Sequence, residues 1–342
     1  MRTPEVAQSP TTPARRTRGR TRRRAPLLLA AAATVGGLLA GLTLSSGAQG
    51  ADVAALPDDT VFHNYPANVH AWVEQNPDDP RTPLIAERIA SQPQAVWFSN
   101  YEPSTVTEDA AAVTSAASAA GEVPVIVSYM IPNRDCGGAS AGGAPDFPAY
   151  LDWTEDFAAG LGSEPVLVIL EPDSLALTTC LDDAERAERF ASLAEAADLI
   201  HAANPEARVY FDAGHSAWHA PATIAGTLRE AGVLESGDGI YSNVSNYRVT
   251  AEENAFVEGV LNELGDPELT AVIDTSRNGN GPDGGEWCDP PGRLVGANPT
   301  ANTGNERIDA YLWVKLPGEL DGCAGPAGSF SPDMAYQLAG GN

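Results

Sequence analysis

Short apolar runs that stop abruptly on polar or charged side chains alternate along this chain with longer stretches of helical periodicity. The clearest run is Pro165-Val-Leu-Val-Ile-Leu-Glu171-Pro172-Asp173. An unbroken Val/Ile/Leu series suits a strand covered on both faces, and Pro172 cannot donate to a sheet ladder, so the strand should end there. The same form recurs in Val123-Pro-Val-Ile-Val-Ser-Tyr129-Met-Ile-Pro132-Asn-Arg134-Asp135, Arg208-Val-Tyr-Phe-Asp212-Ala-Gly214-His215, Thr270-Ala-Val-Ile-Asp274 and Ala310-Tyr-Leu-Trp-Val-Lys315-Leu-Pro-Gly-Glu319-Leu-Asp321. Ala95-Val-Trp-Phe-Ser99 and Gly239-Ile-Tyr-Ser-Asn-Val-Ser245, the latter followed by Asn246, complete a set of seven predicted strands.

Helical patterns long enough for crossovers lie between the runs. The clearest spans 183–203, with Phe190, Leu193, Ala197 and Ile200 at helical spacing and Asp182 or Asp183 as its cap. Others are predicted near 108–120, 150–161, 221–231 and 250–264. Strict alternation argues an α/β fold with a parallel sheet, and seven units over about 290 residues fit one closed or nearly closed barrel. A single acid at a strand end reads as a helix cap or a solvated loop residue. Acids recurring at several strand ends read as one wall of a site, because the C-terminal edge of such a sheet is where loops carry chemistry.

Residues 1–50 stand apart. They hold eight Arg and one acid, Glu5, followed by an apolar stretch from Pro26 to Leu44 and the small-residue exit Ser46-Gly-Ala48-Gln-Gly50. This layout is that of a secretory signal cleaved between Ala48 and Ala51, with an uncleaved anchor as the alternative use of a 19-residue apolar core. Thr21-Arg22-Arg23-Arg24 is compatible with twin-arginine export as well as the Sec route. Residues 51–342 then read as a single domain. Without the leader the net charge moves from −26 to −33, since eight Arg and one Glu leave with it. Such a surface repels nucleic acid and anionic lipid and suits a secreted protein with a neutral substrate.

Four cysteines, Cys136, Cys180, Cys288 and Cys323, favour two disulfides in an exported chain, with three pairings open. No Cys-x-x-Cys or His cluster suggests a metal, and no phosphate loop, dinucleotide fingerprint or Gly-x-Ser-x-Gly nucleophile is in place, so neither metal nor cofactor is expected. What remains is a set of acids with tryptophans beside them. Trp313, inside its run, reads as core, whereas Trp97, Trp218 and Trp287 adjoin polar or Gly-rich loops where a flat ring can stack on a sugar. Paired carboxylates with stacking rings point to glycoside hydrolysis.

The segments Val127-Ser-Tyr129-Met-Ile-Pro132-Asn-Arg134-Asp135-Cys136-Gly, Val168-Ile-Leu-Glu171-Pro172-Asp173-Ser-Leu, Tyr210-Phe-Asp212-Ala-Gly-His215-Ser-Ala-Trp218 and Lys315-Leu-Pro-Gly-Glu319-Leu-Asp321-Gly-Cys323 resemble glycoside hydrolase family 6, which contains cellulases. The resemblance runs from about Phe62 to Tyr336. It implies a distorted (β/α) barrel of parallel strands and hydrolysis of β-1,4-glucan chains with inversion at the anomeric carbon. Position by position, it implies that Asp173 is the general acid, that Asp135 raises its pKa and helps organise the attacking water, and that Asp321 is the base, acting through a chain of waters. Tyr129 matches a tyrosine that favours a distorted sugar ring, and Asp212 a third site acid of structural or pKa-tuning character. Trp97, Ser99, His215, Trp218, Asn246, Trp287, Lys315 and Glu319 match sugar-contacting positions, with Lys315 alternatively an ion-pair partner of Glu319. Ser99-Asn100 departs from the family, where acids and histidines occur. The implied disulfides are Cys136–Cys180 and Cys288–Cys323.

Members of the family that act from chain ends carry long insertions that roof the cleft. Here Asp135 to Asp173 spans 38 residues, Asp173 to Asp212 spans 39, and Asp212 to Asp321 spans 109, which resembles the compact endo-acting members. The rivals are a chain-end-acting cellobiohydrolase and a non-catalytic glucan-binding protein, though the latter has little reason to retain Asp135, Asp173 and Asp321 together.

Overall fold

The computed structural model describes residues 56–341. The expected leader and its apolar core therefore lie outside the described residues. Seven parallel strands form one sheet whose spatial order is its chain order: β1 (Val96–Phe98), β2 (Val125–Ser128), β3 (Val166–Leu170), β4 (Ala207–Asp212), β5 (Gly239–Ser242), β6 (Thr270–Asp274) and β7 (Ile308–Leu312). Before β1 come α1 (Asn68–Gln75) and α2 (Thr82–Ile85), which continues as a π-helical turn over Ala86–Ala90. Crossovers follow as α3 (Val106–Ala120), α4 (Phe147–Ala159), α5 (Asp183–Ala203), α6 (Pro221–Glu230) with α7 (Val233–Ser236), and α8 (Thr250–Leu264). No helix joins β6 to β7, and α9 (Pro332–Leu338) ends the fold.

The sheet curls without a ladder between β7 and β1. A backbone hydrogen bond from Ala95 N–H to the Trp313 carbonyl (3.0 Å) and one from the Trp97 indole to the Val314 carbonyl (2.7 Å) link its two ends. The barrel is nearly closed rather than closed.

Alternate strand residues feed two cores, as period-2 side-chain geometry requires. Ile126, Val168, Leu170, Val209, Phe211, Ile240 and Ile273 pack outward under the helices. Val127, Leu167, Ile169, Tyr210, Tyr241, Val272 and Leu312 fill the interior. A third cluster seats Val69, Ile85, Ile89, Leu338 and Trp313 together, so α1, α2 and α9 cover the seam. Fully burying one such aliphatic or aromatic side chain contributes about 1.5–3 kcal/mol.

Local signals set the helix ends. The Asp182 carboxylate accepts from the N–H groups of Ala184 and Glu185 (both 2.9 Å) and Glu185 reaches back to Asp182 N–H (2.9 Å), a reciprocal cap that makes Asp182 the start signal of α5. Asp146 caps α4 through Ala149 N–H (2.9 Å), which places that helix start three residues ahead of the expected one.

Strand β7 corrects the expected run. It begins at Ile308 and ends at Leu312, leaving Trp313 and Lys315 beyond it. Asp309 lies within the strand at a register shift opposite Ala271 and Val272. Its buried carboxylate accepts from the Tyr210 hydroxyl (2.6 Å), the Thr270 hydroxyl (2.6 Å) and the Arg208 guanidinium (3.0 Å), so the charge is matched by donors.

Candidate active site

The loops leaving the C-terminal ends of the strands enclose a cleft of about 800 Å³. It is lined by Trp97, Ser99, Tyr129, Asp135, Asp173, His215, Trp218, Asn246, Trp287, Lys315, Glu319 and Asp321. Of the expected site residues other than the cysteines, only Asp212 is missing from that lining. A smaller cavity of about 210 Å³ beside Pro290, Pro291 and Met334 contains none of Asp135, Asp173 and Asp321.

Backbone strain concentrates around the cleft. Eight non-glycine residues among those described have positive φ: Asn133, Asp135, Cys136, Glu171, Asp173, Asn243, Ser245 and Asp289. All lie in loops after β2, β3, β5 or β6. Each such conformation costs about 1–3 kcal/mol and persists only where surrounding contacts over-determine it.

Those contacts are visible around Asp173. Glu171, fully buried, accepts from the Ser128 hydroxyl (2.7 Å) and from the N–H groups of Met130 (2.7 Å) and Ile131 (2.8 Å), which ties the end of β3 to the loop after β2. Burial raises the pKa of Glu171 and these three hydrogen bonds work against that rise. Asp212, also buried, accepts from Leu175 N–H (3.1 Å), Ala176 N–H (2.9 Å) and Gly214 N–H (2.9 Å). Asp212 therefore holds the loop that follows Asp173 instead of facing the cleft. The carbonyl of Asp173 accepts from Leu177 N–H (2.9 Å), whereas its carboxyl group accepts no hydrogen bond from the described residues and is left to the cleft. Surrounding protein pushes its pKa up to about 8, with the charges of Asp212 and Asp135 adding to the effect of burial.

Across the β2 loop, Arg134 donates to the carbonyls of Ser140 (2.7 Å), Ser99 (2.9 Å) and Tyr129, and its guanidinium lies 4.3 Å from the centre of the Tyr129 ring. Asp135 accepts from Ser140 N–H at 2.8 Å. Tyr129 meets Trp97 edge-on at 5.3 Å, and burial followed by the Asp173 charge keeps its hydroxyl protonated.

Asp321 has the opposite environment to Asp173. Its carboxylate pairs with the fully buried Arg277 at 2.7 Å and with Lys315 at 3.1 Å. Burial works to raise its pKa, but the charges of Arg277 and Lys315 outweigh it and hold the group below the usual carboxylate value. Lys315 thus pairs with Asp321, not with Glu319 as the alternative reading had it. Glu319 accepts from Asn68 at 2.7 Å. Asp289 completes the arrangement by accepting from the N–H groups of Asp321 (2.6 Å), Gly322 (3.2 Å), Cys323 (2.9 Å) and Ala324 (2.8 Å). The loops of Asp135 and Asp321 abut, for a Cβ on Gly322 would lie 2.9 Å from that of Ala139.

Two disulfides, Cys136–Cys180 and Cys288–Cys323, border these loops. Each closes a segment of 44 or 35 residues, worth about 3–4 kcal/mol in chain-entropy terms. His215 accepts from Ala217 N–H through Nδ1 (3.2 Å), and burial, then Arg248 and His219, lower its pKa to about 4. A neutral ring with its proton on Nε2 follows. Trp218 stacks on His219, and Trp287 is 49% exposed. Among the described residues no group of three or more His, Cys, Asp or Glu is placed to hold a metal.

Arg277, Asp289 and the anchoring role of Glu171 were not foreseen. Arg277 and Glu171 each stand within three residues of a strand end, which is the one signal the sequence carried for them.

The profile of Glycosyl hydrolases family 6 matches residues 58–338. Endoglucanase 1 of Streptomyces sp. (strain KSM-9) is 56% identical over 363 aligned positions that cover 100% of both chains. Endoglucanase A of Thermobispora bispora is 52% identical over 283 positions, covering 82% of this chain and 62% of that one. Among solved structures, the endoglucanase Cel6 from Mycobacterium tuberculosis, in complex with methyl-cellobiosyl-4-deoxy-4-thio-β-D-cellobioside, superposes with a TM-score of 0.77 at 38% identity over 82% of this chain and 97% of that one. With four ordered motifs, a parallel barrel and a matching profile over most of its length, the chain belongs to Glycosyl hydrolases family 6.

Proposed function

We propose that the chain is an endo-1,4-β-glucanase that hydrolyses internal bonds of cellulose-type glucans with inversion, and that residues 1–50 are the leader that exports residues 51–342 as one catalytic domain. The observation that carries this reading is the pair of opposed carboxyl environments in one cleft: Asp173 raised to about 8, Asp321 held low by two cations. Divergent pKa values in neighbouring acids assign proton donor and anion. Asp173 then donates its proton to the departing glycosidic oxygen. Water attacks the opposite face of the sugar, and its proton leaves toward the anionic Asp321 side through intervening water, because both Asp321 oxygens are already engaged by Arg277 and Lys315. Tyr129 stands beside Asp173 in the cleft as the residue under the reacting ring, and Trp97, Trp218 and Trp287 supply the stacking faces. The endoglucanase names of the relatives at 56% and 52% identity support internal over terminal attack.

The test is digestion of a soluble cellulose derivative, with viscosity and reducing ends followed together and fresh products read by proton NMR. A steep early fall in viscosity per bond cleaved and α-anomers appearing first are expected. Proportional loss of viscosity would favour a chain-end enzyme, β-anomers first would contradict inversion, and no hydrolysis at all would remove the enzyme reading. The pH profile follows from the same two groups. Activity requires Asp173 protonated and Asp321 ionised, so kcat should fall as pH rises through about 8 and fall again only in acid below the usual carboxylate range.

A further inference from the structure

We propose that Arg189, on α5, is a positioning residue for the reaction: it clamps the Asp135 loop to the Asp173 loop and so sets the spacing of those two carboxyl groups. The inference rests on the reading of Asp173 as proton donor.

Arg189 is 1% exposed and belongs to none of the ion pairs among the described residues. Its Nη2 donates to the carbonyls of Pro132 (2.9 Å) and Asn133 (3.2 Å), and its Nη1 is oriented to those of Ser174 (3.3 Å) and Leu177 (3.4 Å). The first two carbonyls lie just before Arg134-Asp135 and the others just after Asp173. One planar guanidinium therefore grips both loops at the residues flanking their acids. Taking a guanidinium out of water with no ion-pair partner is costly, and the four carbonyls are what offset that cost at Arg189.

Other ties leave a gap that Arg189 fills. Glu171 holds the N–H groups of Met130 and Ile131, and Asp212 holds those of Leu175 and Ala176. Neither engages the carbonyls of Pro132, Asn133, Ser174 or Leu177. The Cys136–Cys180 disulfide also links the segments, but its second sulfur belongs to a residue seven positions past Asp173. The charge of Asp135 is one of the influences that keep Asp173 protonated, so a clamp that fixes their separation also fixes the alkaline end of activity.

Arg189→Met removes the four hydrogen bonds at similar side-chain length, and Arg189→Lys keeps the charge but not the fork. With circular dichroism and disulfide content matching the parent, the Met variant should lose roughly tenfold to a hundredfold in kcat with KM within a factor of about two. Its alkaline limb should move to lower pH by about one unit, and the Lys variant should change in the same directions by less. A folded Met variant with an unmoved alkaline limb overturns the proposal, as does a loss of kcat that only tracks loss of folded protein. Should Arg189→Met fail to fold, the limb in Arg189→Lys decides: a limb at the parent's pH overturns the clamp. A parent without hydrolysis or without an alkaline limb overturns the functional reading instead, so the two failures are distinguishable.

Discussion

Asp173→Asn is expected to lower kcat on cellulose derivatives by roughly 10²–10⁴-fold while making the folded protein more stable at pH 7. The loss follows from removing a carboxyl in the cleft whose surroundings push its pKa up to about 8. The gain follows from the same surroundings. The folded pKa of about 8 stands above the ordinary value of 3.8, so between those pH values the folded protein keeps a proton that the unfolded chain has released. Stability therefore falls as pH rises through that window and is flat above it. An amide removes the penalty. At pH 7 the variant should gain on the order of 1–3 kcal/mol, or about 2–4 °C in Tm for each kcal/mol, and the advantage should vanish below about pH 4. Calorimetry at pH 4 and pH 7 checks the sign, and equal Tm values at pH 7 would contradict it.

Asp321→Ala should have the reverse effect on stability. Activity is lost, and so is stability, because Arg277 with no exposed surface and Lys315 are left as uncompensated buried cations, a cost of about 3–5 kcal/mol. The loop also loses the contacts from the Tyr247 hydroxyl and Asp289 N–H to the same carboxylate. For a depressed carboxyl the stabilisation is fully present above the unfolded pKa and disappears as pH falls through the folded one. The difference between parent and variant in urea unfolding should be full at pH 7 and shrink only below about pH 4. Two acids of one cleft thus carry opposite stability signatures, which is what a donor and a charge-stabilised anion require.

Much of this was legible from local pattern. Val166–Leu170 is apolar because both faces of β3 are covered, and the apolar spacing after Asp182 and Asp183 announces α5, with the reciprocal Asp182–Glu185 cap choosing between the two acids. The strand-end acids were visible because they recur: one acid beside a buried run reads as a cap or loop residue, several read as a site. What escaped depends on contacts distant in sequence. Asp309 interrupts β7 only because Arg208, Tyr210 and Thr270 bring donors to it from other strands. Lys315 is two residues closer in the chain to Glu319 than to Asp321, yet the loop turns Asp321 toward it, since Asp289 gathers four successive N–H groups from Asp321 onward. Asp212 carries the motif of a site acid but spends its oxygens on backbone N–H groups, which no spacing reveals. Helices α1 and α9 are short, and they owe their place to Trp313 and the seam they cover.

The central claim is that Asp173 delivers the proton to the leaving oxygen, and leaving-group dependence tests it most directly. Asp173→Asn should be compared with the parent on a cello-oligosaccharide and on a cello-oligosaccharide bearing a dinitrophenolate leaving group, which departs without protonation. The account predicts a loss of roughly 10²-fold or more on the sugar leaving group and a far smaller loss on the aryl one. Equal losses on both substrates would contradict it.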